Sequence, residues 1–203
     1  MSAAEKRRLT AAEYLAIEAT AEIRHEFLDG EMFAMSGGSL WHNLIKDNLA
    51  RAVGNRLAGS ACRVVTSDQR LKVDATGLYT YPDVLVFCGQ PVMEDGVHHT
   101  LTNAILVAEV LSDSTEKYDR GIKAGHYRRL DALQEYLLVT QDRFSVEVFQ
   151  RQGDRSGTAG SDAWLLSAAA EREAEVRLAS LGITVPLAEI YAGVEFPPEP
   201  PAR

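Results

Sequence analysis

YPDVLVFC (residues 81–88) and NAILVAEVLSDSTEKYDRGIKAGHY (residues 103–127) are the two runs on which the fold turns. Each holds an almost unbroken apolar segment with one carboxylate set into it. Val84, Leu85, Val86 and Phe87 follow Asp83, while Ile105, Leu106, Val107, Ala108, Val110 and Leu111 enclose Glu109. Apolar residues without alternation mark a strand covered on both faces. Pro82 suits the start of such a strand, where its missing N–H removes no ladder bond. A carboxylate buried there costs several kcal/mol, roughly, unless a cation or a set of donors answers it. On neighbouring strands, side chains of one parity share a face, so Asp83 and Glu109 are expected to project into one cleft. Carboxylates that close repel unless a divalent cation neutralises them. The pattern therefore predicts a metal site with Mg2+ or Mn2+ as cofactor, both hard ions that take carboxylate, carbonyl and water oxygens. Lys123, on the helix expected after the Glu109 strand, is the candidate cation beside an attacking water.

The flanking segments supply a frame for this pair. Thr10-Ala-Ala-Glu13 has the capping-box pattern and predicts a helix over 11–19. Asp29-Gly30 between apolar flanks predicts a tight hairpin, with Glu26 and Glu31 near its turn. Ser39 is a candidate N-cap for a helix over 40–57, in which Leu40, Leu44, Ile45, Leu49, Val53 and Leu57 recur at helical spacing and His42 and Lys46 share a flank. Short strands are expected at 62–66 and 71–73. Residues 89–102 read as a loop, and 116–130 as a helix with Tyr118, Ile122, Tyr127 and Leu130 on its inner side. Further strands are expected at 134–139, 144–149, 164–166 and 174–178, with 181–185 before a terminal turn. A mixed α/β (α+β) fold follows, with a β-sheet core flanked by helices and extra C-terminal strands. One domain over 1–195 and a Pro-rich, disordered tail over 196–203 complete the expected organisation.

Composition narrows the function classes. The 203 residues carry a formal charge of −8, which argues against broad, non-specific attachment to a phosphate backbone. No apolar run reaches the ~20 residues that span a bilayer, and the N-terminus has basic residues without an apolar stretch behind them, so no membrane partner and a cytoplasmic location are expected. Cys62 and Cys88, the only two cysteines, read as buried free thiols.

The central run also resembles the PD-(D/E)XK nuclease superfamily, through Pro82-Asp83 and Glu109-Val110-Leu111. It is closer to the Uma-two family of restriction-endonuclease-like proteins, through the LDGE turn with Met35-Ser36-Gly37, His42, Tyr81-Pro82-Asp83-Val84, Glu109-Val110-Leu111-Ser112, Ser114-Thr115, Tyr118-Asp119, Lys123, Tyr127 and Glu135-Tyr136-Leu137. The resemblance implies a restriction-endonuclease-like core and metal-dependent hydrolysis of DNA, with a homodimer as the expected assembly. Asp83, Glu109 and Val110 would hold the metal. The superfamily's lysine two residues after the glutamate is Leu111 here, so Lys123 is implied to supply the charge from the next helix. A glutamate from the N-terminal region often joins such sites; Glu31 is the first choice and Glu26 the second.

Plainer readings stand beside these. Asp83 could cap a loop; Glu109 could be a core glutamate paired with Lys123 or Arg120; Lys123 could pair with Asp119 at the surface. His42 could be an ordinary helix-face residue, and Tyr118 and Tyr127 packing residues. Ser112, Ser114 and Thr115 read as helix caps. Two other functions fit the same residues: a non-catalytic interaction module on a nuclease-like scaffold, and a hydrolase of a small phosphoester.

Overall fold

The computed structural model describes residues 7–94, 99–153 and 163–196. Helix α1 (Ala11–Glu18) opens the chain with the expected capping box between Thr10 and Glu13. Strands β1 (His25–Leu28) and β2 (Glu31–Ala34) form the predicted hairpin, with Asp29 at φ 50° and Gly30 at φ 83°, as a primed two-residue turn demands. Helix α2 (Leu40–Arg56) starts at Ser39, whose hydroxyl accepts from the His42 N–H. Then come β3 (Cys62–Thr66), β4 (Arg70–Val73), β5 (Leu78–Thr80), β6 (Val84–Cys88), the two-residue β7 (Thr100–Leu101) and β8 (Leu106–Val110). A helical segment runs through α3 (Glu116–Tyr118), a π-helical turn (Asp119–Lys123) and α4 (Ala124–Tyr127). Strands β9 (Glu135–Val139), β10 (Ser145–Arg151), β11 (Trp164–Ala170), β12 (Glu175–Leu178) and β13 (Ile183–Pro186) follow, and α5 (Leu187–Ile190) closes the fold.

A six-stranded mixed sheet, ordered β11-β10-β9-β8-β6-β3, is the centre; β8 and β9 are parallel and the other pairs antiparallel. Alternate residues of its middle strands feed two different cores, which is why those strands read as continuous apolar runs. Val84, Val86, Leu106, Ala108 and Val110 pack with Ile45, Leu49 and Val53 of α2 and with Leu187 and Ile190 of α5. Leu85, Val107, Leu111 and Leu138 face the opposite way, toward Ala124 and Tyr127 and toward Leu71 and Leu78 of the second sheet, β2-β1-β5-β4-β7. Strands β12 and β13 form a separate two-stranded ribbon.

Several expectations need correction. Strands β5 and β7 were not predicted; β5 is three residues long, and β7 lies in a polar segment where parallel pairing to β4 makes it a strand. The helix expected over 116–130 ends at Tyr127 and contains a π turn. That wider turn shifts the phase of the inward face, so Ile122, expected inside, is 60% exposed while Lys123 points in. Leu40, expected on the apolar face of α2, is exposed at its first turn. Cys62 and Cys88 are not free: the β3–β6 register sets them opposite one another and they form a disulfide. Phe196, assigned to the tail, packs its ring against Phe144 and Tyr191; the rest of the expected tail, 197–203, lies outside the described residues. Most of the expected 151–161 loop lies outside them too. Among the described residues, no helix is long and apolar enough to cross a membrane.

Candidate active site

Asp83 immediately precedes β6, and the register that sets Val84 opposite Ala108 brings it beside Glu109. The two residues are locked backbone to side chain. The Asp83 N–H donates to Glu109 Oε2 at 3.3 Å, and the Val110 N–H donates to Asp83 Oδ2 at 2.8 Å. Both acids belong to the parity that faces the helical segment, as Leu85 and Val107 do. Lys123 comes down from that segment onto Glu109 Oε1 at 2.9 Å, and the Tyr127 hydroxyl donates to the same oxygen at 2.6 Å. Lys123 also lies 2.9 Å from Glu26 Oε1 and 3.7 Å from Asp119 Oδ1. Its side chain is 6% exposed, so its pairing is an interior one.

The hairpin decides which glutamate joins. Glu26 on β1 lies opposite Phe33, and Leu28 lies opposite Glu31. Alternation puts Glu26 and Glu31 on one face, but Glu31 is two residues nearer the turn, exposed and clear of the cleft. The structure thus places Glu26, the second choice, beside Lys123. Glu26 also accepts from the hydroxyls of Thr80 and Tyr118. His42, at the start of α2, sets Nε2 3.1 Å from Asp83 Oδ2, and its Nδ1 is buried with no partner.

These groups line one side of a cleft of about 280 Å3 whose other wall is the Met35–Ser39 loop with Phe33, Ser112 and Ser114. Three carboxylates (Glu26, Glu109 and Asp119) surround Lys123, and Asp83 adjoins Glu109. The Glu109 carboxyl is raised to about 8, chiefly by burial and also by Asp83 and Asp119, against the pull of Lys123 and the Tyr127 hydroxyl. Asp119 is raised by burial against the pull of Lys123. Burial alone would lower the Lys123 ammonium, yet Glu109, Glu26 and Asp119 hold it well above its usual value. The lysine therefore stays protonated at neutral pH and acts as a fixed charge, not as a base.

Sequence reading missed three participants. Tyr127 and Tyr118, taken as packing residues, hydrogen-bond Glu109 and Glu26. Asp119 enters only as a neighbour of Lys123, because a π turn leaves no mark in the sequence. Ser112, Ser114 and Thr115, expected as helix caps, bond mainly among themselves, and Thr115 at the start of α3 makes no side-chain capping bond.

Asp83 and Glu109 are the carboxylates that a divalent cation would draw on here. Among the described residues no group of three or more His, Cys, Asp or Glu is placed to hold a metal ion, and Lys123 lies against one oxygen of Glu109. Asp83 and Glu109 Oε2 remain turned toward each other, and the carboxylate excess is what a dication would neutralise.

The chain has relatives among known proteins. Two uncharacterised proteins of Synechocystis sp. are similar along nearly their whole length: sll1609 is 37% identical, covering 90% of this chain and 99% of its own, and slr1290 is 34% identical, covering 93% and 94%. The crystal structure of a "putative nuclease belonging to DUF820" from Anabaena variabilis superposes with a TM-score of 0.70 at 16% identity, over 91% of this chain and 98% of that one, which shows that the fold is shared. The model of the Uma2 family, described as "Putative restriction endonuclease", matches residues 11–186, and the chain belongs to that family.

Proposed function

We propose that this protein is a divalent-metal-dependent endonuclease that hydrolyses DNA phosphodiester bonds. The observation that carries the reading is the convergence of Asp83, Glu109 and Lys123 in one cleft, with the lysine delivered from the helical segment although Leu111 occupies the position where the superfamily keeps it. Asp83, Glu109 and the Val110 carbonyl are the oxygen donors assigned to Mg2+ or Mn2+. When bound, such an ion supplies Lewis-acid polarisation of a phosphoryl oxygen.

The chain's own residues do the rest. Lys123 opposes the rise that burial imposes on the Glu109 carboxyl and holds a positive charge where negative charge develops on the phosphate. Tyr127 fixes the Glu109 carboxylate plane through Oε1, leaving Oε2 toward Asp83. The Val110 N–H fixes Asp83 in turn. Glu26 and Asp119 hold the ammonium in place.

The test is cleavage of duplex and single-stranded DNA with Mg2+ or Mn2+. Asp83→Ala, Glu109→Ala and Lys123→Ala should each lower the rate by about 10²-fold or more. A protein that cleaves no DNA with either ion, or variants that cleave as fast as the parent, would refute the proposal. The charge of −8 favours one alternative, a small phosphoester or nucleotide as substrate. A panel of nucleotides and phosphodiesters beside DNA separates the two.

For the assembly we favour a homodimer through β11. This edge strand, Trp164-Leu-Leu-Ser-Ala-Ala-Ala170, has no charge and no proline, the usual guards of a free edge. Leu165 and Leu166 are 54% and 53% exposed. Antiparallel pairing with a second copy about Ser167 sets Trp164 opposite Ala170, Leu165 opposite Ala169 and Leu166 opposite Ala168, large against small at each position.

A further inference from the structure

Lys46 and Arg24 are two cations at the rim of the cleft that the proposed chemistry leaves unused. Lys46 lies one turn after His42 on the same flank of α2, and His42 reaches Asp83 Oδ2 at 3.1 Å. Side chains four residues apart on a helix have Cβ atoms about 5–6 Å apart, so the Lys46 stem starts one short step outside the cleft. Its ammonium donates to neutral oxygens, Asn43 Oδ1 and Ser67 Oγ, each at 3.3 Å. Among the described residues it has no carboxylate partner. The side chain is half-buried, so this charge is held in place without being neutralised. Arg24 reaches the same place from the hairpin. Its carbonyl accepts from the Met35 N–H, which extends the β1–β2 ladder by one pair, and alternation gives Arg24 the face of Glu26. The guanidinium lies 5.7 Å from the centre of the Tyr81 ring, which lines the cleft, and Nε lies 3.6 Å from Asp68 Oδ1. Ser67 and Asp68 are consecutive residues between β3 and β4, so the two cations converge on one short turn.

We infer that Lys46 and Arg24 bind the phosphate next to the scissile one, so that the substrate is a polynucleotide strand and not a mononucleotide or small phosphoester. This deepens the endonuclease reading and rests on it for the phosphate inside the cleft. The Arg24–Asp68 pair is long and its side chains are 45% and 92% exposed. Such a pair contributes little, and a phosphate that offers two oxygens to the guanidinium can displace the carboxylate. Tyr81 holds the guanidinium plane from below, while Lys46 adds a point charge beside it. A cleft lined with carboxylates, in a chain of charge −8, repels a phosphate backbone. The two rim cations give the strand a place to be held outside that repulsion. A phosphodiester without a second phosphate gains nothing from them.

The probe is a fluorescein-labelled single-stranded DNA oligonucleotide, bound to the full chain in chelating buffer so that nothing is cleaved. Anisotropy titrations at several salt concentrations read the affinity and the number of phosphate contacts. Lys46→Met and Arg24→Met should each weaken binding about fivefold and make the log–log salt slope shallower by about 0.7, the value of one lost contact to a single strand. Arg177→Met, which removes an exposed cation from the β12–β13 ribbon, should change neither. With Mn2+ added, both rim variants should raise KM for DNA and leave kcat unchanged. They should hydrolyse bis(p-nitrophenyl) phosphate, which has one phosphate, as fast as the parent. Rim variants that bind the oligonucleotide as tightly as the parent, or lose no more than Arg177→Met does, overturn the inference, and DNA cleavage by the parent then leaves the endonuclease reading standing. Binding that depends on Lys46 and Arg24 in a parent that cleaves neither substrate removes the enzymatic reading and leaves the phosphate site in place.

Discussion

Replacing Lys123 with methionine is the sharpest probe of the site, because its effect on stability follows from the geometry without any assumption about catalysis. The ammonium lies 2.9 Å from both Glu109 Oε1 and Glu26 Oε1 and 3.7 Å from Asp119 Oδ1, and all three partners have side chains no more than 10% exposed. Methionine keeps the volume and removes the charge. Breaking one member out of a buried ion cluster costs about 3–5 kcal/mol, because the remaining charges are left uncompensated. For a chain of this size each kcal/mol moves the melting temperature by about 2–4 °C. Lys123→Met should therefore melt roughly 6–20 °C below the parent in a chelating buffer. Lys117→Met, six residues earlier on an exposed site, should change stability by about 0.5 kcal/mol or less.

The loss should also depend on pH, with a defined sign. Lys123 is the main influence that lowers the Glu109 carboxyl, so its removal raises that group further above its unfolded value of 4.5. A raised carboxyl binds its proton more tightly when folded. Its contribution is fully present below pH 4.5 and is lost as pH rises through the folded value. From this group the penalty of Lys123→Met should stay level between pH 5 and pH 8, where parent and variant lose the same contribution, and grow above about pH 8. Adding Glu26→Gln, which removes one of the stranded charges, should recover part of it, as expected of residues in one network. Thermal melts followed by circular dichroism measure all of this. A Lys123→Met protein that melts within 2 °C of the parent at pH 8 in chelator would show that the lysine is not the counter-charge of a buried cluster.

Two further outcomes follow from the same structure. In the chelated parent protein, Glu109 sits at about 8 against 4.5 unfolded, so stability should fall between pH 5 and pH 8.5; Glu109→Gln should flatten that slope, and an unchanged slope would contradict the burial argument. At β11, Leu165→Lys places a charge on each of two apposed strands; light scattering should show a dimer for the parent and a monomer for the variant, and a monomeric parent ends the β11 dimer.

What could be read from the sequence was the conflict between a residue and its surroundings. Asp83 and Glu109 stood out because carboxylates are rare in strands apolar on both faces, and the β6–β8 register does bring them together. The sheet core and the hairpin were legible for similar reasons, from unbroken apolar runs and from Asp29-Gly30. Where nothing conflicted, nothing signalled. Tyr127 is an aromatic on an apolar face, and only its hydroxyl contact with Glu109 separates it from an ordinary core residue. Glu26 and Glu31 share a hairpin face, and the distance from the turn that separates their roles is a matter of packing. The Cys62–Cys88 bond required the β3–β6 register, which two cysteines 26 residues apart do not specify.

Leu111 explains why the lysine had to come from elsewhere. Position 111 has the parity of Glu109 and faces the same way, but it is 3% exposed and packs in the core with Ala124, Tyr127 and Leu138. The helical segment that covers this face closes over the strand position where a lysine would need to reach the cleft. An ammonium in place of the Leu111 side chain would be buried among apolar groups. The covering segment supplies the charge instead, and it does so through its π turn, which brings Asp119 and Lys123 together over Glu109 while turning Ile122 outward. The cation and the lid over the strand are thus one element. A strand lysine and a covering helix are alternatives here, and this chain keeps the helix, with Glu26 and Asp119 as the added carboxylates that hold a lysine on a longer reach.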